Sequence, residues 1–234
     1  MGISINIAIQ MARVAPLVKD CRQGIMLGRQ KMHFSPPGWT PKLIRKLGRI
    51  GIQASREDLF QEDGFCEAYL NTIGWPKLES LDFSDIEGAE YIQDLSKPVS
   101  KDLKGKFDLI YDGGTTEHVF DIAQSFRNVD AMLQDQGIFI SCVGTDGWFG
   151  HGFYQVGPDI PWSYWVESLD YKMLGCWTFV RQGNDELREI EDPRNVNRGA
   201  EHRYSKPQFL FYMVQKQPRK GPPEPVIQSH YLNY

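Results

Sequence analysis

Two histidines and one glutamate are the residues of this sequence best suited to moving a proton. His118 directly follows Glu117, and His151 lies between two glycines in an aromatic stretch. Imidazole titrates near neutral pH, so each histidine is a candidate general base. For His118 the alternative is a structural role in capping or packing. For Glu117 we predict that it orients one of the histidines, and a surface salt bridge is the alternative.

A second group of polar residues directly follows short apolar segments that have the character of buried β-strands. In an open parallel sheet the carboxyl ends of the strands meet at one edge, and ligands bind there. We therefore expect this group to border a binding site. Its members are Gly28, Arg29, Gln30, Asp82, Asp85, Asp94, Asp112 and Gly113.

Strands and helices alternate along the chain from residue 24. Strands are predicted at 24–28, 78–83, 89–92, 107–112 and 138–143, with an antiparallel pair at 176–180 and 208–214. Helices are predicted at about 41–50, 56–73 and 118–134, and Ser55 with Asp58 resembles an N-cap. The alternation predicts a Rossmann-like, doubly wound α/β fold. We expect a mostly parallel seven-stranded sheet with an antiparallel edge strand and helices on both faces.

The predicted domain organisation is simple. Residues 1–215 form one domain, with insertions at about 31–55 and 144–170, and the Pro-rich residues 216–234 form an extended tail. Residues 3–14 fit either an amphipathic helix or an alternating strand, and the pattern does not decide between them.

Composition excludes several classes of function. The 234 residues carry a net charge of −4, which argues against nucleic acid as a partner, and the basic run at 42–49 fits a solvated helix face. The four scattered cysteines argue against a zinc site, so no metal is predicted. No apolar run approaches the length of a membrane helix, and no signal peptide is evident. We expect a cytoplasmic protein.

The segment 107–119, FDLIYDGGTTEHV, resembles the region around the fourth strand of class I S-adenosylmethionine (SAM)-dependent methyltransferases. A helix, the turn DQG and a further strand follow it, as in that family. The resemblance covers about residues 20–215. More narrowly, LGRQ at 27–30 and GHGFYQ at 150–155 resemble a group of poorly characterised bacterial SAM-methyltransferase-like proteins.

This resemblance implies SAM as the cofactor and assigns roles along the sheet edge. The turn Gly28, Arg29 and Gln30 would approach the methionine part of SAM. Asp82, with Asp85 as the second candidate, would bind the ribose, and Asp94 the adenine. Asp112 and Gly113 would border the methionine end, where Glu117 is a candidate for the amino group.

The sequence departs from the family in its first motif, because only Gly28 of the usual glycine-rich pattern is present. Arg29 could replace the missing backbone contacts by pairing with the SAM carboxylate. The alternative is a structural ion pair and a loss of SAM binding. The inserted segment 31–55 is expected to cover the substrate pocket.

The aromatic stretch after residue 144 is the predicted substrate-binding region, since long loops in compact domains are usually functional. A hydrophobic plug over the sheet edge or a homodimer surface is the alternative. The predicted function is transfer of a methyl group to an oxygen or nitrogen of a small molecule, such as a sugar or another metabolite. The alternative is a non-catalytic methyltransferase-like binding or assembly module. The predicted substrate-binding residues are Trp148, Phe153, Tyr154 and Gln155.

Overall fold

The computed structural model describes residues 2–33, 39–195, 206–219 and 221–233. The strands are β1 Gly2–Ile3, β2 Gly24–Leu27, β3 Lys31–Met32, β4 Leu78–Asp82, β5 Tyr91–Ile92, β6 Phe107–Asp112, β7 Leu133–Gly144, β8 Lys172–Val180, β9 Arg188–Glu189 and β10 Gln208–Gln215. The α-helices are α1 Ile5–Val18, α2 Trp39–Arg49, α3 Arg56–Leu59, α4 Glu67–Thr72 and α5 Ile122–Met132. Ile160–Ser168 is a π-helix, and 3₁₀ turns lie at Lys101–Leu103, Thr116–His118 and Ser229–Asn233.

The main sheet has the strand order β5-β4-β2-β6-β7-β10-β8-β9. Its first five strands are parallel. Counted from β2, their order is 3-2-1-4-5, as in a doubly wound Rossmann sheet, so the predicted fold class is confirmed. The order reverses between β2 and β6, and this switch point is where such sheets bind ligands.

The predicted strand count is wrong, because the sheet has eight strands among the described residues and not seven. The antiparallel β10 lies between β7 and β8. At this end of the sheet the edge strand is the antiparallel β9, which has two residues and is defined by its pairing with β8. A two-residue strand carries no alternation that sequence can reveal. The predicted antiparallel pairing of 176–180 with 208–214 is confirmed.

Helices cover both faces of the sheet, as predicted. Because side chains alternate along a strand, Ile138, Ile140 and Cys142 of β7 pack in the core beneath α1, α2 and α4. Phe139 and Val143 point to the opposite face and pack with α5 and the π-helix. The sheet is therefore buried on both sides, which explains its continuous apolar strands.

Residues 5–18 form a helix and not a strand, which settles the open alternative for the N-terminal segment. The Ser4 side chain accepts a hydrogen bond from the Ile7 amide and caps the helix. The helix is apolar on nearly all sides because it is buried between the sheet and its neighbours. Tyr69 and Trp75 donate hydrogen bonds to its backbone carbonyls.

Two predicted helices have different bounds. The stretch 56–73 is divided into α3 and α4 by a turn in which Gly64 has φ +78°, although the Ser55–Asp58 capping box is present. The helix predicted at 118–134 begins at Ile122, because Asp121 accepts a hydrogen bond from the Gln124 amide and caps it there.

The segment after β10 runs along the π-helix. Ser168 and Glu224 exchange hydrogen bonds, and the Ser229 amide donates to Asp159. None of the helices in the described part of the chain is long and apolar enough to cross a membrane.

Candidate active site

The carboxyl ends of β2, β4 and β6 meet at Gly28. Its φ of +71° is a left-handed conformation that favours glycine. Its amide donates to the Leu81 carbonyl at 2.7 Å, and the Thr115 hydroxyl donates to the Leu27 carbonyl at 2.6 Å. A Cβ atom at Gly28 would lie 2.8 Å from Thr115 Oγ1 and 3.9 Å from Asp82 Oδ2. The structure thus brings the predicted glycine turn and the predicted ribose ligand together.

Gln30 fills the space between this turn and the next one. Its side chain is buried, and Nε2 donates to the carbonyls of Leu27 and Gly28. Its Oε1 is buried without a partner among the described residues. A Cβ atom at Gly113 would lie 2.6 Å from Oε1, so a larger residue there would displace the Gln30 amide. Gln30 and Gly113 are in contact, as the prediction of one shared site expects.

The carboxylate of Asp112 is occupied within its own turn. Oδ1 accepts from the amides of Gly114 and Thr115 at 3.1 and 2.8 Å. Oδ2 accepts from the hydroxyls of Thr116 at 2.6 Å and Ser141 at 3.3 Å. This buried side chain shapes the loop that leaves β6.

Arg29 points away from Gln30 and forms ion pairs within the chain. Its guanidinium contacts Glu67 at 2.7 Å and Asp63 at 3.1 Å, and it stacks on the Phe65 ring at 3.8 Å. The hydrogen bond that Arg29 donates to the Glu67 carboxylate raises the pKa of Arg29. This is the structural ion pair that the sequence left open, and a SAM contact by Arg29 stays a prediction.

The other acidic candidates lie at or just after the ends of β4 and β5, two strands on the side of β2 away from β6. Asp82 ends β4, and its Oδ1 accepts from the Phe83 amide. Asp94 follows β5, where hydrogen bonds from the side chain and amide of Ser96 lower its pKa, with a further contribution from Lys97. Asp85 is exposed.

Glu117 is the least satisfied polar side chain at this edge. It is 0% exposed, and neither carboxylate oxygen has a hydrogen-bond partner among the described residues. Burial, with the nearby Asp112 as the second cause, raises the pKa of Glu117 to about 8. Without a cationic partner this carboxyl group is therefore mostly protonated at neutral pH.

The aromatic loop covers Glu117. The amides of Phe153 and Tyr154 donate to the Glu117 carbonyl at 2.9 and 3.3 Å, and the Tyr154 hydroxyl donates to the Phe120 carbonyl. A Cβ atom at Gly152 would lie 2.9 Å from the Glu117 carbonyl oxygen, so only glycine allows this close approach. The loop excludes water from the carboxylate.

His118 and His151 meet beside Glu117. Their ring centroids are 4.8 Å apart in an edge-to-face arrangement. Burial lowers the pKa of both imidazoles. The neighbouring His151 lowers the pKa of His118 further, and the neighbouring Arg181 lowers that of His151. Both rings are therefore neutral at neutral pH. Potential ligand atoms of Glu117, His118 and His151 all lie within 4.8 Å of one another.

A cavity of about 630 Å³ opens next to His151. Trp148 lines it, with its ring 4.9 Å from that of His151 and 5.1 Å from the Arg181 guanidinium. Met32, His33 and Trp39, from the segment predicted as an insertion, also line it.

The four predicted substrate-binding residues are divided by the structure. Trp148 lines the cavity, and Gln155 accepts a hydrogen bond from its amide and fixes the loop. Phe153 is 65% exposed and packs on Phe120, while Tyr154 anchors the loop through its hydroxyl group. Neither of these two aromatic rings is part of the cavity lining.

Sequence reasoning missed several residues of this region. Thr115 closes the switch point, and a hydroxyl group directly after the Gly113–Gly114 turn was a usable signal. His33, Trp39 and Arg181 also line the cavity, and no local pattern links Arg181 to the two residues near the start of the chain.

No protein-family model and no curated protein sequence matches the chain. Among solved structures, a SAM-dependent methyltransferase from Archaeoglobus fulgidus is 10% identical, with a TM-score of 0.47 and coverage of 90% of this chain and 93% of that one. Burkholderia thailandensis 1,6-didemethyltoxoflavin-N1-methyltransferase is 11% identical, with a TM-score of 0.46 and coverage of 92% and 78%. The trans-methyltransferase CalH is 11% identical, with a TM-score of 0.43 and coverage of 91% of this chain and 57% of CalH. The chain thus spans little more than half of CalH, and the likeness concerns the fold.

Proposed function

We propose that this chain is a SAM-dependent methyltransferase that acts on an oxygen or nitrogen of a small molecule. The observation that carries the proposal is the convergence at the sheet's switch point. There the Gly28 turn, Asp82 and the Gly113 turn meet, and the acceptor oxygen of Gln30 is buried without a partner. Such an edge suits a ligand that has both hydroxyl groups and a cationic amine.

Each group in this edge has a matching group on SAM. Asp82 would accept hydrogen bonds from the ribose hydroxyls, and Asp94 from the adenine amino group. Gln30 Oε1 would accept from the α-ammonium of the methionine part, which would satisfy a buried oxygen that is now unpaired. The glycine turns would let the cofactor approach the backbone.

The acceptor would occupy the cavity beside His151. A volume of about 630 Å³ is in the range of small-molecule sites, and the net charge of −4 does not favour nucleic acid. The Trp148 ring and the Arg181 guanidinium would contact a planar or anionic acceptor. His151, at the boundary between the cavity and Glu117, faces the acceptor in this arrangement.

Methyl transfer requires mainly that the acceptor atom lie in line with the methyl group of the sulfonium. Positioning alone can supply much of the rate. The acceptor atom forms a bond to the methyl carbon while the carbon–sulfur bond breaks, and the acceptor's proton must leave. A neutral imidazole of His118 or His151 is suited to receive it.

Isothermal titration of the purified protein with SAM, and separately with S-adenosylhomocysteine, tests the proposal. We expect saturable micromolar binding. Asp82→Asn should weaken it by about 10-fold or more, because a hydrogen bond to a charged group is lost. Asp135→Asn is the matched control and should bind as the wild type does, since this exposed side chain lies near the start of β7, at the opposite edge of the sheet.

The non-catalytic module is the second candidate, and the ion pairs of Arg29 favour it. The Arg29 guanidinium is paired with Glu67 and Asp63, as the alternative of a structural ion pair expects. If neither SAM nor S-adenosylhomocysteine gave binding heat or a thermal shift, the proposed enzymatic function would be contradicted. The non-catalytic binding or assembly module would then be the supported function.

A further inference from the structure

We propose that Glu117, His118 and His151 form a binding site for one divalent transition-metal ion. The proposal that this site binds a metal ion does not depend on SAM binding. Any role of the ion in catalysis rests on the proposed function. The three side chains come from two loops that are separated by more than 30 residues in the sequence and are packed against each other.

The geometry allows all three groups to ligate one ion. Ligands bound at about 2.0–2.2 Å in a tetrahedral or octahedral site lie about 3–3.5 Å apart. The potential ligand atoms here lie within 4.8 Å of one another before any adjustment. His118 is exposed, so its ring is free to turn through the small remaining distance. Glu117 and His151 are more enclosed and would define the position of the ion.

The unpaired carboxylate points independently to a cation. A buried carboxylate in proteins is normally paired with a base, hydrogen-bonded or bound to a metal. Glu117 has none of these among the described residues, and its charged neighbour Asp112 is an acid. The described ion pairs of lysine and arginine side chains involve other carboxylates. The Nε2 atom of His151 is likewise buried without a partner. A metal ion would satisfy both groups at once.

The surrounding contacts hold two of the ligands in place. Phe153 and Tyr154 donate their amides to the Glu117 carbonyl, and Gly152 permits that approach. The His151 amide donates to the Trp148 carbonyl, and the Trp148 ring packs against the imidazole. Trp148 is itself anchored through Nε1 to the Gln208 carbonyl. These contacts fix the backbone of Glu117 and the position of the His151 ring.

The donor set selects the class of metal. Two imidazoles and one carboxylate suit Zn²⁺, Co²⁺ or Fe²⁺, whereas Mg²⁺ and Ca²⁺ prefer oxygen ligands. Three protein ligands leave at least one coordination position for another molecule. An ion here would lie beside the cavity and could bind an acceptor hydroxyl group, whose pKa it would lower. The imidazoles would then be ligands, and the ion would replace a free histidine base.

Titration with Co²⁺ tests the site directly. The full chain, purified without a histidine tag, is freed of metal with EDTA, dialysed and titrated with CoCl₂ while the visible absorption spectrum is recorded. We expect one Co²⁺ per chain, with d–d bands that disappear when Zn²⁺ is added and persist when Mg²⁺ is added. His118→Ala, His151→Ala and Glu117→Gln should each weaken binding by more than about 100-fold, beyond the loss typical of changes outside the ligand shell.

His230→Ala is the matched control, since this histidine lies on the C-terminal 3₁₀ turn outside the group. It should bind Co²⁺ as the wild type does. His118→Ala alters an exposed side chain and Glu117→Gln conserves size, so both variants should fold, and circular dichroism checks this. Folded variants that bind Co²⁺ with wild-type affinity would overturn the proposal, as would a wild type with no d–d bands. SAM titration of the EDTA-treated protein tests the two proposals separately. Co²⁺ binding without SAM binding would support the metal site and contradict the proposed methyltransferase function. SAM binding without Co²⁺ binding would contradict only the metal site.

Discussion

Asp112 and Glu117 are two fully buried carboxylates near the carboxyl end of β6, and they differ completely in their hydrogen bonding. Asp112 accepts hydrogen bonds from three amides and two hydroxyl groups, whereas the carboxylate of Glu117 has no partner among the described residues. Asp112 is the last residue of β6, and Glu117 lies in the 3₁₀ turn that follows this strand. Asp112 therefore stabilises the fold at this edge of the sheet, whereas the carboxylate of Glu117 remains available to a ligand.

This comparison shows why residue type and position alone do not identify a site. Asp112 stands where the resemblance expects a cofactor contact, yet its oxygens bind the turn that presents Thr115 and Thr116. Glu117 lies one turn further on, beneath a loop that excludes water. A buried polar group without a partner lowers stability, so its persistence points to a function in binding.

The largest expected effect is the response of Glu117→Gln to pH. The folded protein holds a proton on Glu117 up to about pH 8, while the unfolded chain releases it near pH 4.5. The free energy of unfolding of the wild type therefore falls as pH rises through this interval, because the folded state binds more protons. Glutamine does not titrate. We expect the variant to gain about 4 kcal/mol relative to the wild type between pH 5 and pH 9.

Urea denaturation in the presence of EDTA, at both pH values, measures this difference. Comparing the variant with the wild type cancels the other titrating groups, because they are common to both proteins. A difference that stays constant with pH would show that Glu117 is paired or hydrated, and it would remove the contrast with Asp112.

Asp112→Asn should change stability in the opposite direction. The amide group presents two hydrogens toward hydroxyl and amide donors, so charge-assisted hydrogen bonds are lost inside a buried turn. We expect a loss of about 3 kcal/mol in the free energy of unfolding at pH 7. The same urea experiment checks it. A loss below about 1 kcal/mol would mean that the turn does not depend on the charge of Asp112.

Much of the fold could be predicted from the sequence because its strands are local and strongly apolar. The strand predicted at 107–112 has the observed bounds, and those at 24–28 and 78–83 differ by one residue. The elements that were missed depend on distant partners. β9 exists only through its pairing with β8, and the start of β7 at Leu133 includes a register shift beside β6.

The candidate site was less predictable than the fold. Gly28, Gln30, Asp82 and Gly113 meet, because parallel strands bring their carboxyl ends to one edge. The contact of His118 with His151 depends instead on how one loop folds over another. No spacing in the sequence predicts such a contact. The scattered cysteines argued against a cysteine-ligated zinc site, but they carry no information about a site made of histidine and glutamate.

Arg29 provides the smallest and most discriminating prediction, because it tests whether a charge at the cofactor edge belongs to the fold or to the ligand. Arg29→Lys retains the charge but loses the planar stacking on Phe65 and the paired contacts with Glu67 and Asp63. We expect about 1 kcal/mol less stability in urea and SAM affinity within about twofold of the wild type. Arg22→Lys, at an exposed arginine before β2, is the matched control and should change neither quantity. If Arg29→Lys instead lowered SAM affinity 10-fold or more at unchanged stability, the guanidinium would be a ligand of the cofactor and would leave its internal partners when SAM binds.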